Sequence, residues 1–234
     1  MKTITGRFFI CLVLLIIFSD AAAAQTSAET SEEIWPEVDV FVQVSPKVRL
    51  FFLGTVSRAK ESKDAFEGQV GAHVDYLLNK NVSFRTGYRR GFSLGETDDT
   101  FSEHRLLVEQ TFRLFPRGGF LLSDRNRVDL RWVSGKFSVR YRNRLTLERE
   151  FMIRDRSYTP YASIEAYYDS RFDTWNRNRY AFGIQWSLRR RGPLMKLLSA
   201  RKNVVFDFYF MRQNDSRSQP NHVNALGVVT NLYF

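Results

Sequence analysis

The sequence predicts an all-β protein, namely a transmembrane antiparallel up-and-down β-barrel of about 10–12 strands. Three observations predict this fold. Apolar residues recur at every second position through most of the chain, these apolar stripes carry no charged residue, and Gly, Pro, Asn and Ser separate many of them. We expect three regions, which are a signal peptide at 1–24, a short N-terminal segment at 25–36 and the barrel at 37–234.

The composition excludes several other classes of protein. Of the 234 residues, 44% are hydrophobic, which is too many for a disordered chain. The single cysteine cannot form a disulfide scaffold. The longest apolar run, Phe8–Phe18, is shorter than the roughly 20 residues of a membrane helix. The formal net charge of +10 is scattered over an exported chain, so we expect no nucleic-acid partner.

The first 24 residues have the three parts of a secretory signal. Lys2 and Arg7 supply the positive start, Phe8–Phe18 the apolar stretch and Ala22–Ala24 the small residues before the cleavage site. Cys11 lies in the apolar stretch and is expected to leave with it. We therefore expect export across the inner membrane of a Gram-negative bacterium, with cleavage near Ala24.

Eleven segments alternate with period two, which is typical of strands that have two different faces. Ser45-Pro46 and Asn79–Asn81 separate early segments as turns. In chain order the first five segments are Val38–Val44, Val48–Val56, Val70–Tyr76, Val82–Tyr88 and Leu106–Leu114.

The second half of the chain continues the same alternation. Pro116–Gly119 and Ser134–Lys136 have the composition of turns. The remaining six segments are Val128–Trp132, Phe137–Leu147, Ala162–Tyr168, Tyr180–Leu188, Val204–Phe210 and Leu226–Phe234.

Charged residues are confined to the second face of these strands. Asp, Glu, Lys and Arg are absent from the apolar stripes. The charged residues at the intervening positions are Asp39, Arg49, Asp75, Arg85, Glu109, Arg113, Asp129, Arg131, Arg140, Arg142, Arg144, Glu165 and Asp207.

The apolar face is predicted to point outward, toward lipid. The apolar side chains are too many and too large for the interior of one small barrel. Segments of roughly 9–12 residues can cross a bilayer when they are tilted, and charges on the lipid face are costly. Aromatic residues at stripe ends fit the interfacial girdles of membrane barrels, and these are Tyr76, Tyr88, Trp132, Tyr168, Tyr180 and Trp186. The alternative is a secreted soluble β-barrel binding protein with the apolar face inside.

The strand count presents a difficulty of parity. A barrel that begins and ends in the periplasm needs an even number of strands, so we expect one segment to be split or a further strand near Ile34–Pro36. With the C-terminus in the periplasm, the basic segment Arg189–Arg201 falls on the periplasmic side, as a membrane-surface turn or a solvated loop. The loops expected outside the cell are Arg58–Asp64, Gly95–Thr100, Arg171–Thr174 and Asn214–Pro220.

The lumen is predicted to hold a mixed network of arginines and carboxylates. The thirteen intervening charges are seven arginines and six acids, so most of them can form ion pairs. We favour a salt-bridged plug, with a structural barrel or a narrow passive channel as the function. The alternative is an anion-selective pore lined by Arg140, Arg142 and Arg144, which a small solute or ion would cross.

The sequence offers little support for an enzyme. His222 is not followed two residues later by the serine of lipid A deacylase-like barrels. His73 faces the lumen near Asp75 and is interpreted as a pairing group, and His104 lies at a strand end beside Glu103. Four serines with lumen phase, Ser83, Ser138, Ser163 and Ser187, are out of reach of lipid. We therefore predict no catalytic residues, no metal site and no cofactor. The alternative is an outer-membrane lipid-modifying hydrolase.

The C-terminal segment resembles the last strand of bacterial outer-membrane barrels. Phe234 ends the chain, and Leu226, Val228 and Leu232 precede it in the same phase. This resemblance implies an assembly signal that the barrel-assembly machinery reads, and hence that machinery and outer-membrane lipid as partners.

The chain also resembles an uncharacterised outer-membrane barrel family, domain of unknown function 2490. The resemblance lies in Val82–Arg90, Glu103–Arg105, Arg140–Leu145, Tyr158–Tyr168 and Arg177–Trp186. It implies an outer-membrane location and a barrel fold, and it implies no activity. The oligomeric state is not predicted.

Overall fold

A computed structural model describes residues 30–58, 66–94, 102–154, 156–188 and 204–234. Every regular element in these ranges is a β-strand. Among the described residues there is no helix with the length and apolar character to cross a membrane. The predicted signal peptide at 1–24 and the basic segment Arg189–Arg201 lie outside the described residues.

The twelve strands include all eleven predicted segments, except that Val44 and Phe234 lie one residue beyond the ends of their strands. β8 is a separate three-residue strand that pairs only with the start of β9. The strands are β1 Thr30–Gln43, β2 Val48–Arg58, β3 Phe66–Leu77, β4 Val82–Leu94, β5 Ser102–Leu114, β6 Phe120–Val133, β7 Lys136–Arg149, β8 Phe151–Ile153, β9 Arg156–Asp169, β10 Thr174–Leu188, β11 Val204–Asp215 and β12 His222–Tyr233.

The eleven long strands close into one barrel. Each pairs with the next in antiparallel fashion, β7 pairs with β9, and β1 pairs with β12 in parallel, from Thr30 opposite His222 to Phe41 opposite Tyr233. The predicted fold class and strand number are confirmed, but the expected even parity is wrong. A parallel closing pair permits an odd number of strands.

The first strand begins earlier than the expected barrel boundary at residue 37. β1 pairs with β2 only from Glu37 opposite Thr55, so Thr30–Pro36 is paired with β12 alone. Pro36 has no backbone N–H, and strands tolerate proline where one edge is free. The expected separate strand near Ile34–Pro36 is therefore the start of β1.

The barrel has two distinct ends. Phe234 lies at one of them, called here the C-terminal end, where its backbone N–H donates to the Phe41 carbonyl at 2.8 Å. Turns 44–47, 78–81 and 115–119 are at the same end. The opposite end has turns 134–135, 170–173 and 216–221 and the strand ends that flank the other two predicted outside loops. The two predicted outside loops that the structure describes therefore share one end, and residues 59–64 and 95–100 of the other two lie outside the described residues.

Local chemistry fixes the short turns. Ser134 and Gly135 both have positive φ, 46° and 80°, as the two-residue hairpin turn between β6 and β7 requires. In the turn between β3 and β4, the Asn79 side chain accepts hydrogen bonds from the backbone N–H groups of Asn81 and Val82, each at 2.9 Å. Tight turns of this kind set the register of the hairpins.

Side-chain polarity is inverted relative to a soluble protein. Val108 on the outer face is 61% exposed and Phe182 62%, whereas the lumen residues Asp129 and Glu165 are 0% and 1% exposed. Most buried side chains of the described residues are polar or charged. The apolar face points outward, as predicted.

The outward aromatic residues are only partly arranged as two girdles. Trp132 and Tyr168 lie near the opposite end, and Tyr76 and Trp186 lie near the C-terminal end. Tyr88 and Tyr180 lie near the middle of β4 and β10, away from both girdles.

The outer face of β6 and β7 carries a polar island at mid-strand. Asn143 donates to Asp124 at 2.6 Å and to Asn126 at 3.0 Å, and Tyr141 also donates to Asn126. β6 begins at Phe120, well before the predicted start at Val128, so the charge-free stripe does not extend over the whole strand. Internal hydrogen bonds satisfy the polar groups that the island presents to the surroundings.

Candidate functional site in the barrel lumen

One continuous row of lumen residues crosses nine strands. The register places each member directly opposite the next, so that opposite charges on neighbouring strands stabilise the sheet. From the C-terminal end to the opposite end, the row is Arg49, Asp75, Arg85, Glu109, Arg127, Arg142, Tyr167, Arg177 and Asp215.

Asp75 organises the part of this row near the C-terminal end. Its carboxylate accepts from Arg49 Nη2 at 2.7 Å and from Arg85 Nε at 2.5 Å. The Arg49 guanidinium lies 4.6 Å from the Phe41 ring centroid, and that of Arg85 lies 4.1 Å from Phe51. Ion pairing and ring stacking together hold both arginines in fixed orientations.

Glu165 is the acceptor at the centre of the lumen. It accepts hydrogen bonds from Arg142 at 2.9 Å, Arg144 at 2.8 Å and Arg125 at 3.0 Å. The Tyr167 hydroxyl donates to the same carboxylate at 2.7 Å. Four donors on one buried carboxylate hold it charged and rigid.

The Tyr167 ring is surrounded by arginines from two strands, β7 and β10. The guanidinium carbons of Arg142, Arg179, Arg177 and Arg140 lie 4.6, 5.1, 5.5 and 5.9 Å from its centroid. The ring face is attractive to cations at this range. Tyr167 is 1% exposed, so it fills the lumen where these side chains meet.

Glu109 and Asp129 compensate the adjacent arginines Arg127 and Arg142. Glu109 accepts from Arg127 Nε at 2.9 Å. Asp129 lies 3.9 Å from Arg127 and 3.8 Å from Arg142, and neither of its carboxylate oxygens has a hydrogen-bond partner among the described residues. These carboxylates allow two arginines to stand opposite each other in the row.

Two further carboxylates close the network toward the opposite end. Glu103 pairs with Arg105 at 2.8 Å and with Arg131 at 2.5 Å. Asp169 pairs with Arg140 at 2.7 Å and with Arg171 at 2.8 Å. Arg171 lies in the turn outside the strands, and its hydrogen bonds to Asp169 raise the pKa of its guanidinium.

Ten of the predicted lumen charges are brought into ion pairs, and three are placed differently. Asp207 accepts a hydrogen bond from the Tyr161 hydroxyl at 3.0 Å. Asp39 is buried and Arg113 half-buried, and neither forms an ion pair with a described residue. The ten paired residues are Arg49, Asp75, Arg85, Glu109, Asp129, Arg131, Arg140, Arg142, Arg144 and Glu165.

The sequence prediction missed the members of the network that lie beyond the apolar stripes, and it also missed Tyr167, an uncharged residue within one of the predicted segments. The alternation carries the signal for these residues, since Arg125 and Arg127 precede Asp129 in the same phase. They were missed because the outward positions beside them are polar. The missed members are Glu103, Arg105, Arg125, Arg127, Tyr167, Asp169, Arg171, Arg177 and Asp215.

Two cavities open at the C-terminal end. The larger has a volume of about 510 Å³ and is lined by residues such as Phe120, Glu148 and Gln185. The smaller has a volume of about 260 Å³ and is lined by members of the row such as Arg49 and Asp75. The network extends from the wall of the smaller cavity through the middle of the lumen to the opposite end.

The histidines are engaged with residues other than serine. His222 Nδ1 lies 2.9 Å from Asn214 Oδ1, His104 hydrogen-bonds the Tyr88 hydroxyl, and Arg89 donates to His73 at 3.2 Å. No histidine–serine hydrogen bond occurs among the described residues. In the same part of the chain there is also no group of three or more His, Cys, Asp or Glu placed to hold a metal ion.

These features define the class of the protein as a closed, inside-out β-barrel, with apolar side chains outside and ion-paired side chains inside. The chain belongs to the family described as Protein of unknown function (DUF2490), which matches residues 32–224. This match confirms the family resemblance.

The fold is similar to a solved structure, LpxR from Salmonella typhimurium. The TM-score is 0.51 at 9% sequence identity, and the match covers 80% of this chain and 83% of that chain. At this identity the similarity concerns the fold alone. No curated protein matches the chain.

Proposed function

We propose that this protein is an integral outer-membrane barrel of a Gram-negative bacterium, and that its lumen is a salt-bridged plug which makes it a structural barrel. The observation that carries the proposal is the inverted polarity of the closed sheet. Only a closed sheet satisfies all backbone groups in lipid.

The outer face supports a lipid environment. Val108, Ile164 and Phe182 are 61%, 53% and 62% exposed at positions within strands. Large contiguous apolar surfaces of this kind are rare on soluble monomers. Strands of 11–15 residues, tilted by 35–45°, span roughly 25–40 Å, enough for the hydrocarbon core of a bilayer.

The packing of the lumen supports a plug. Tyr167, Glu165 and Asp129 are almost completely buried at the level where the arginines converge. A wide water-filled pore would leave such side chains exposed. The alternative is a narrow passive channel for a small solute or ion, favoured by the cavities at the C-terminal end.

The C-terminal strand supports assembly by the barrel-assembly machinery. Leu226 is 58% exposed, and Val228 and Phe234 are each 37% exposed; all are on the outer face. Leu232 shares their phase and is half-buried. This arrangement presents an apolar, aromatic-ended strand to a protein that recognises it, with the C-terminal end in the periplasm.

We propose no enzymatic activity. A lipid-modifying hydrolase needs a nucleophile, usually activated by an adjacent base. The contacts of His73, His104 and His222 among the described residues provide no such pair.

Membrane fractionation combined with gel mobility tests the proposal. We expect the full chain in the outer-membrane fraction. Its gel mobility before boiling should differ from its mobility after boiling, because a folded barrel resists the detergent of the gel until it is heated. A soluble periplasmic protein whose mobility does not change on heating contradicts the proposal.

A further inference from the structure

The smaller cavity at the C-terminal end is rich in cations. It has a volume of about 260 Å³ and opens between turns 44–47 and 78–81. Two carboxylates, Asp75 and Glu109, line it. The cationic residues that line it are Lys47, Arg49, Arg85 and Arg113.

Both carboxylates are already occupied. Asp75 accepts Nε and Nη2 of Arg49 and of Arg85. Glu109 accepts from Arg127 at 2.9 Å and lies 3.7 Å from Arg125. The cavity therefore keeps an excess of positive charge.

Three of the guanidinium groups that line this cavity have an Nη1 without a hydrogen bond to a described residue. Arg49 and Arg85 donate to Asp75 through Nε and Nη2, and their Nη1 groups bond no described residue. Arg113 Nη1 is buried without a hydrogen-bond partner. A buried, charged N–H without an acceptor is unfavourable, so an anionic group that accepted a hydrogen bond from Arg113 would be stabilising.

The arginine pair is preorganised for a ligand. Arg49 stacks on Phe41 and Arg85 on Phe51, and the two rings stack on each other with centroids 4.7 Å apart and an interplanar angle of 10°. Asp75 fixes both guanidinium groups from one side. Donors that are held in place before binding lose little entropy when a ligand arrives.

We propose that this cavity binds a phosphate group. Guanidinium groups bind phosphate oxygens in bidentate fashion, and three of them supply donors here. The volume is below the roughly 300–1,000 Å³ of pockets for drug-sized ligands, so it suits one compact anionic group. Lys47 adds a further positive charge at the mouth.

The phosphate has two sources with the same chemistry. Tyr76 and Phe84 belong to the outward apolar face and also line the cavity. A lipid phosphate would therefore reach the arginines with its acyl chains on the outer face of the barrel. Free inorganic phosphate would enter from the C-terminal end.

Calorimetric titration of the refolded full chain in a neutral detergent tests the proposal. One arm uses inorganic phosphate and the other a short-chain phosphatidylglycerol, and we expect saturable one-site binding in at least one arm. The arm that saturates identifies the source. Arg113→Gln should weaken binding at least about ten-fold, because a hydrogen bond to a charged group is lost.

Arg117→Gln is the matched control. Arg117 is an exposed residue of turn 115–119 at the same end, outside this cavity, and its substitution removes the same charge. We expect its binding to equal that of the wild type. Absence of saturable binding in both arms, or equal weakening by the two substitutions, overturns the proposal.

A second variant decides the question if Arg113→Gln does not fold, as judged by its heat-dependent gel mobility. Arg49→Gln changes a different strand of the same cavity and should also weaken phosphate binding about ten-fold or more. Unchanged affinity in a folded Arg49→Gln protein overturns the proposal. Because titration in detergent does not depend on location in the cell, its outcome is separate from that of membrane fractionation.

Discussion

Glu165 is the residue on which the central lumen depends most. Its carboxylate is 1% exposed and accepts from Arg125, Arg142, Arg144 and Tyr167. A buried ion pair is sensitive to the loss of one partner, since the other charges then remain buried without compensation.

Glu165→Gln should therefore destabilise the barrel by about 3–5 kcal/mol. Urea unfolding of the refolded protein in lipid vesicles, followed by the fluorescence of its four tryptophans, measures the change. The matched control is Glu32→Gln, because Glu32 is exposed at the edge of β1 and its substitution should change stability by about 0.5 kcal/mol or less. If both substitutions change the free energy of unfolding by the same small amount, the central lumen does not depend on Glu165.

The polar island on β6 and β7 leads to a second prediction about single residues. Asn143→Leu removes two donated hydrogen bonds and leaves Asp124 under-satisfied, which should cost about 1–3 kcal/mol. Changing Asp124, Asn126 and Asn143 all to Leu, together with Tyr141→Phe because Tyr141 donates to Asn126, should restore stability to at least the wild-type value in vesicles. A combined variant that is less stable than the single variant shows that the island does not face hydrocarbon.

At the residue scale, the sequence predicted which charged residues face the lumen more reliably than it predicted which of them form ion pairs with each other. Arg49, Asp75 and Arg85 were predicted from alternation, because each strand reports its own two faces. Their pairing depends on the register between strands, which local alternation does not contain. The half-buried Arg113 was predicted with the same argument and has no ion-pair partner among the described residues, since its strand position is beyond the reach of Glu109.

At the scale of the strand, the prediction concerns which face of each strand points toward lipid. Val108 in the middle of β5 and Val44 in the turn after β1 are both 61% exposed. In water, the two positions would accept a charge equally well. In a bilayer only Val108 faces hydrocarbon.

Val108→Arg should thus destabilise the barrel by about 2–4 kcal/mol in vesicles, whereas Val44→Arg should have little effect. Unfolding by urea in the same vesicles measures both. Equal tolerance of the two substitutions would mean that the apolar face lies in water.

The parallel pairing of β1 and β12 makes a second prediction at this scale. Cysteine pairs at Ile34 with Leu226 and at Val40 with Leu232 occupy directly opposite positions on the outer face. Cα atoms of opposite residues are close enough for a disulfide. We expect both pairs to crosslink on oxidation, as measured by gel mobility and mass spectrometry.

An antiparallel closure would not bring both pairs together, so crosslinking of one pair alone contradicts the parallel arrangement. The unpaired combination of Ile34 with Leu232 is the matched control and should remain reduced.

The strands were predictable because their signal is local. Alternation marked all eleven long strands, and turn residues such as Ser134 and Gly135 marked the hairpins. The start of β1 was not predictable in this way, since Thr30–Pro36 begins with four polar residues, contains a proline and depends on β12 for its pairing. The parity of the barrel was not predictable either, because closure joins the two most distant strands.

At the scale of the whole molecule, the lumen network determines permeability. The central side chains Glu165, Tyr167 and Arg142 are each less than 10% exposed. We expect the wild-type barrel to show no discrete conductance steps in planar bilayers, because its lumen is filled.

Replacing Arg142, Glu165 and Tyr167 together by alanine should produce discrete steps, since it empties the level at which the arginines converge. The change removes one charge of each sign and so leaves the net charge unchanged. Frequent discrete steps in the wild-type protein would instead favour the narrow channel.

The parallel seam also has a consequence for how the barrel is made. A sheet grown hairpin by hairpin from β1 retains two free edges until His222–Tyr233 arrives, and free edges recruit other chains. Contacts between segments so distant in sequence form slowly. The newly synthesised chain is therefore most prone to aggregate just before its final strand pairs with β1. A chaperone that covers the free edge would have its greatest effect at that stage.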